Sequence, residues 1–246
     1  MTVFIRARNY TPHAGSRDIW WIVIHDMEYP ERPDGAEWCA RYFAGPSAPQ
    51  ASAHYCVDNN SIVQSVALND IAWHAPPNSH SIGIEHAGYS AQSRADWLDS
   101  YSETELRLSA GLVYELCKRF SIPVRWLTVA DLRAGKKGIT SHANISEAFH
   151  MTNHRDPGVN FPVGWYLGQI LAKGKVPRIP DKDGRRIVAP YLQWKEWRLG
   201  EGAFKGHDAD PRTRPPIWKA AVPASYWPRL KAFLAARAKG QKPPKA

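Results

Sequence analysis

The stretch SHANISEAFHMTNHRDPG, residues 141 to 158, holds four potential metal ligands: His142, His150, His154 and Asp156. Gly138 and Ile139 lead into it, and the turn-forming pair Pro157 and Gly158 closes it. A catalytic zinc takes three protein ligands and leaves its fourth position to water. Two ligands can come from this stretch, so the third must come from elsewhere. His25, at the end of the apolar run Ile19 to Ile24, is the best outside candidate. His25, His142 and Asp156 together supply two imidazoles and a carboxylate. Zinc in such a set brings the pKa of water to about 7 and polarises a scissile carbonyl. Hydrolysis also needs a base for the water proton and a donor for the developing oxyanion. Glu85 is the candidate base, because a carboxylate in an apolar strand is costly unless it is paired or functional. A salt bridge at a strand edge is the plainer alternative. His154, two residues before Asp156, is the candidate oxyanion donor, and His150 reads as a loop residue.

These groups need elements to position them. DIWWIVIH, residues 18 to 25, reads as a buried strand with Trp21, Val23 and His25 on one face. GAEWCARYFAG, residues 35 to 45, is a short helix. SAHYCVDNNSIVQSV, residues 52 to 66, is a hairpin turning at Asp58, Asn59 and Asn60. His54 and Cys56 share a face there, but His-x-Cys alone is a weak metal signal, and His54 reads as packed or hydrogen-bonded. In AWHA, residues 72 to 75, Trp73 and His74 precede the loop PPNSH and suit a cleft wall that touches substrate. SIGIEHAG, residues 81 to 88, is a third strand, with Gly83 and Glu85 facing away from Ile82 and Ile84. A helix runs from Glu103 to about Phe120, with Ser102 as N-cap and Glu105 completing a capping box. Leu106, Ala110, Val113, Cys117 and Phe120 form its apolar stripe. FPVGWYLGQILA, residues 161 to 172, is a closing helix.

The 246 residues, 43% of them hydrophobic, suffice for one medium domain and a small one. No apolar run is long enough to span a membrane. The N-terminus lacks the apolar core of a signal peptide, so the chain is expected to stay inside the cell unless released by other means. Three cysteines without CxxC spacing, Cys39, Cys56 and Cys117, read as small buried apolar residues. Residues 173 to 246 carry 18 Lys and Arg against 6 Asp and Glu, a net +12; residues 1 to 172 carry 14 against 17, a net −3. This divides the chain into a catalytic domain (1–172), a basic Pro-rich linker (173–190) and a small basic Trp-rich helical module (191–246), the basic part meeting a polyanion. No nucleic-acid motif accompanies it.

The segments IVIHDM, SAHYCVDNNSIVQSV, AWHA, SIGIEHAG and ITSHANIS…TNHRDPG, in this order, resemble the type 2 N-acetylmuramoyl-L-alanine amidases, the family that includes peptidoglycan recognition proteins. The TNHRDPG form is most similar to amidase domains of endolysins from actinobacteriophages such as mycobacteriophages. The resemblance covers roughly residues 18 to 170. It implies an α/β fold with a mixed central β-sheet flanked by helices and zinc in a surface cleft. It also implies cleavage of peptidoglycan between the lactyl group of N-acetylmuramic acid and L-alanine, by a monomer that lyses the host. His25, His142 and Asp156 fall on the zinc ligands, Glu85 on the base of some branches, and His154 where many members carry a Lys. Asn153 joins Trp73 and His74 as an expected substrate contact. Asp156 stands where certain members have Cys. Ala53 stands where certain phage members have a catalytic Tyr, which shifts the burden to Glu85. Residues 173 to 246 suit anionic wall polymers and sugar rings, or a structural extension of the amidase domain. The competing functions are a non-catalytic peptidoglycan-binding protein and a cytoplasmic muropeptide-recycling amidase. All three candidate ligands are kept, which favours an enzyme, and the basic module counts against recycling.

Overall fold

The computed structural model describes residues 3–174, together with the backbone of 179–180 and 186–187. In chain order come β1 (Val3–Phe4), β2 (Tyr10–Thr11), β3 (Trp21–Asp26), α1 (Gly35–Ala44), β4 (Tyr55–Val57), β5 (Ile62–Gln64), β6 (Ile71–Ala72) and β7 (Ser81–His86). Then follow α2 (Ser100–Arg119), α3 (Val129–Arg133), β8 (Gly138–Ser141), α4 (His142–Phe149) and α5 (Val163–Gly174). The chain divides into two units after Gly174. In the second, β9 (Ile179–Pro180) pairs antiparallel with β10 (Arg186–Ile187). The rest of the expected linker beyond Gly174, and the expected module 191–246, lie outside the described residues.

The main sheet has the order β1-β5-β4-β7-β3-β8. β3 lies between two parallel neighbours, β7 and β8, and all six of its residues are buried. A parallel strand covered on both faces needs apolar residues at nearly every position, which WIVI, residues 21 to 24, supplies. Ile22 and Ile24, with Ile82 and Ile84, pack against Leu106, Ala110 and Val113 of α2 and Tyr166 and Ile170 of α5. On the other face Trp21 and Val23 pack against Leu132 of α3 and Ile145 and Ala148 of α4. Cys39, Ala40 and Phe43 of α1 cover Cys56 and Val63. The result is a mixed sheet between helical layers, as expected. All three cysteines are buried and free. Among the described residues no helix is long and apolar enough to cross a membrane.

The hairpin β4–β5 turns where expected. Asp58 Oδ1 accepts from the backbone N–H of Asn60 and Ser61, while Oδ2 accepts from Ala36 N–H at the start of α1. The start of α2 differs from expectation. The helix begins at Ser100, and Asp99 is the N-cap, accepting from Tyr101 and Ser102 N–H at 2.8 and 2.9 Å. Ser102 and Glu105 do not form a capping box. The Ser102 hydroxyl donates to Glu31, and buried Glu105 accepts from Ala87 N–H beyond β7. Both side chains are used in tertiary bonds, and Asp99 takes the helix end. Asp99→Ala is therefore expected to cost about 1 kcal/mol in urea unfolding. It should also remove hydrogen-exchange protection at the amides of Tyr101 and Ser102.

Candidate metal centre

Three elements converge at one end of the sheet. His25 is the penultimate residue of β3, past the point where β8 has ended at Ser141. His142 opens α4 immediately after β8, and the Ser141 hydroxyl caps that helix by accepting from Asn144 N–H. Asp156 lies in the loop after α4, and its carbonyl accepts from Ala143 N–H in the first turn of the same helix. One helix N-terminus thus fixes His142 and tethers Asp156. Gly158 lets the loop pass close to Ser90: its φ is +85°, and a Cβ there would lie 1.9 Å from the Ser90 carbonyl oxygen.

His25 Nδ1 lies 2.8 Å from Asp156 Oδ2, and His142 Nδ1 lies 3.1 Å from Asp156 Oδ1. The three residues are only 2, 3 and 8% exposed, so water cannot solvate them freely. Asp156 Oδ1 is nevertheless buried without a hydrogen-bond partner. An unsatisfied buried carboxylate oxygen is costly. Two imidazole nitrogens and a carboxylate oxygen within 4.8 Å of one another form a donor set that suits a divalent cation, zinc among them. Burial lowers the His25 pKa, which favours the neutral ring a metal needs. Burial raises the Asp156 pKa, but His25 and His142 outweigh it and hold the carboxyl below the ordinary range.

The far nitrogens are also engaged. His142 Nε2 is 3.2 Å from Thr152 Oγ1, itself 2.6 Å from Ser146 Oγ. His25 Nε2 is 3.1 Å from His74 Nδ1. His74 is therefore placed differently from the expectation of a substrate-facing cleft wall. It is 8% exposed, with both ring nitrogens occupied inside the protein. Trp73 is half-buried, and its indole N–H donates to Thr11 Oγ1. Asn153 is exposed. The exposed His154 stacks on the His142 ring at 4.4 Å and 12°, with Nδ1 3.7 Å from Asp156 Oδ1. His150 takes a left-handed conformation as the C-cap of α4 and is outside the ligand group.

Glu85 stands directly beside His25, in register on the neighbouring parallel strand β7. The strand is internal to the sheet, and Glu85 has no hydrogen bond or ion pair with any described residue. The salt-bridge alternative is thus absent among the described residues. Burial, then Asp156, Cys56 and Asp26, push the Glu85 carboxyl well above the usual carboxylate range. The result is a half-buried, unpaired carboxyl next to three metal-type donors.

Residues 15–159, more than half of the chain, match the family described as N-acetylmuramoyl-L-alanine amidase. The chain belongs to this family. Among solved structures, the amidase is similar to the Staphylococcus aureus hydrolase AmiA in complex with its ligand. The identity is 15% and the TM-score 0.52, over 71% of this chain and 85% of that one. The selenomethionine AmpD derivative matches at 18% identity and TM-score 0.49 over 69% and 94%, respectively. A mutant endolysin from Bacillus subtilis matches at 20% and 0.46 over 69% and 99%. No curated protein matches the sequence.

Sequence reasoning missed a residue that frames the amidase centre. Arg17 is buried, and its guanidinium donates to the carbonyls of Leu68, Asp70, Asn78, Ser79 and Ser81. It therefore joins the loop after β5 to the loop that leads into β7. Burial lowers its pKa to about 10 against the raising effect of Asp70, so it stays cationic near neutrality. Nothing in TPHAGSRD marks this role, because all five acceptors lie more than fifty positions away. His54 lies alongside, with Nδ1 accepting from Gly83 N–H and Nε2 3.2 Å from the Asp70 carbonyl, a hydrogen-bonded histidine as expected. Arg17→Met removes the donor for five carbonyls. It is expected to cost about 3 kcal/mol or more in chemical unfolding, since each buried acceptor left bare costs about 1–3 kcal/mol.

Proposed function

We propose that this amidase holds a zinc ion with His25, His142 and Asp156. It uses that ion to hydrolyse the amide between the lactyl group of N-acetylmuramic acid and L-alanine of the peptidoglycan stem peptide. The main support is the buried Asp156 carboxylate, with Oδ2 at His25 Nδ1 and the orphaned Oδ1 at His142 Nδ1, and Glu85, unpaired among the described residues, in register beside His25. When bound, zinc supplies Lewis acidity that acidifies water and polarises a carbonyl oxygen.

The side chains divide the remaining work. Glu85 takes a proton from the attacking water and delivers it to the amine nitrogen as the C–N bond breaks. Burial and the neighbouring Asp156 raise its pKa. His154, exposed next to Asp156, donates an N–H to the oxygen on which negative charge grows. Trp73 and Asn153 are the proposed substrate contacts. His74 lies behind His25, with both ring nitrogens bonded inside the protein.

We assign the biological role to a phage endolysin that lyses its host, made in the host cytoplasm and reaching the wall once the membrane is breached. The TNHRDPG form and the net +12 of residues 173–246 support this assignment, with the basic part binding anionic wall polymers.

Metal analysis of the purified chain should find zinc. Mass spectrometry of digested peptidoglycan should find free L-alanine amino termini, whereas a new reducing sugar end would identify a glycosidase. Glu85→Ala is expected to keep zinc and lose about a hundredfold or more of the cleavage rate. His142→Ala should lose both. Cleavage by Glu85→Ala at the wild-type rate would remove Glu85 from the mechanism.

A further inference from the structure

A metal-binding imidazole must present a lone pair, so the proton on its other nitrogen has to be held elsewhere. His25 Nδ1 faces Asp156, and its Nε2 faces His74 Nδ1 at 3.1 Å. His74 Nε2 lies 3.0 Å from Ser81 Oγ, and Ser81 Oγ lies 3.1 Å from the Asn78 carbonyl. The carbonyl can only accept, so the direction of every proton in the chain is fixed from that end. Ser81 O–H donates to Asn78, His74 Nε2–H donates to Ser81, and His74 Nδ1 is left as an acceptor. His25 must then carry its proton on Nε2 and donate it to His74, and a cation would take the place of the Nδ1 proton that bonds Asp156 Oδ2, using the lone pair on Nδ1.

We propose that His74 is a positioning residue that fixes His25 as the Nε2–H tautomer, with Nδ1 free to bind the cation. This inference rests on the metal reading above. Two further features hold His74 in place. Asn78 Oδ1 accepts from the backbone N–H of His74 and Ala75, so the loop that supplies the last acceptor also anchors the ring's own backbone. Gly83, on the strand beside β3, leaves space for the ring. A Cβ there would lie 2.6 Å from His74 Cγ and 2.7 Å from Nδ1, too close for a buried ring to avoid without moving.

A second buried chain meets His25 at a different atom and serves as the control. Tyr166 O–H lies 2.6 Å from Ser109 Oγ, Ser109 Oγ lies 2.6 Å from His86 Nε2, and His86 Nδ1 lies 3.0 Å from the His25 carbonyl. This chain steadies the backbone of His25 and leaves its ring nitrogens untouched.

The test is zinc affinity of the full-length chain, measured by competition with a chromophoric chelator, alongside thermal unfolding. His74→Leu removes the acceptor and is expected to weaken zinc binding about tenfold to a hundredfold. His74→Asn, which can offer an amide oxygen to His25, should recover most of that loss. Gly83→Ala should weaken binding by displacing the His74 ring. Tyr166→Phe should lower the unfolding midpoint and leave zinc affinity unchanged. Long-range proton–nitrogen correlation spectra of the zinc-loaded wild type should show His25 protonated at Nε2. A folded His74→Leu that binds zinc like the wild type overturns the inference. If that variant does not fold, the wild-type spectrum still decides, because His25 protonated at Nδ1 overturns it as well. A wild-type chain that takes up no zinc overturns the metal reading itself.

Discussion

A carboxylate shielded from water and faced by two imidazole nitrogens is the constraint on which the centre depends. Asp156 Oδ2 has His25, but Oδ1 faces His142 Nδ1 and, farther off, His154 Nδ1, without a hydrogen bond to either. Burial strengthens electrostatic interactions and also makes unmet ones costly. The surrounding structure accepts that cost and concentrates its support there. β3, the strand next to the edge strand β8, delivers one ring, α4 delivers the other at its first residue, and the α4 amide of Ala143 holds the Asp156 backbone.

The sheet explains why the chemistry gathers at this edge. β3, β7 and β8 run parallel, so their C-terminal ends open on the same side. In-register pairing then sets Glu85 beside His25 without any contact between the side chains being needed to place it. Arg17 and His74 work behind this front. One ties together loops separated in sequence, and the other lies against the back of the His25 ring. Both are held by hydrogen bonds to the scaffold, while Glu85 has no side-chain partner among the described residues.

Much of this was legible in the residues. Continuous apolar runs marked β3 and β7, and alternation along them gave the correct face to His25 and Glu85, because strand geometry is local. His25, His142 and Asp156 could be proposed together from ligand chemistry, and they do converge. The misplaced cap of α2 was a competition between two capable residues. Asp99 and Ser102 can each cap, and only the tertiary bonds to Glu31 and Ala87 show that Ser102 and Glu105 are used elsewhere. The burial of His74 is not legible in AWHA, because the ring's partners, His25 and Ser81, come from two strands. α4 is not marked in the sequence because its first residue is a candidate ligand and its eight residues carry only a short apolar periodicity.

The buried chain from Tyr166 has one more consequence. Helices α2 and α5 lie on the face of the sheet opposite the ligand rings, yet Tyr166, Ser109 and His86 carry a hydrogen-bonded line through to the His25 carbonyl. Loosening α5 would be felt at the His25 backbone, which this line steadies, and not at the His25 ring nitrogens.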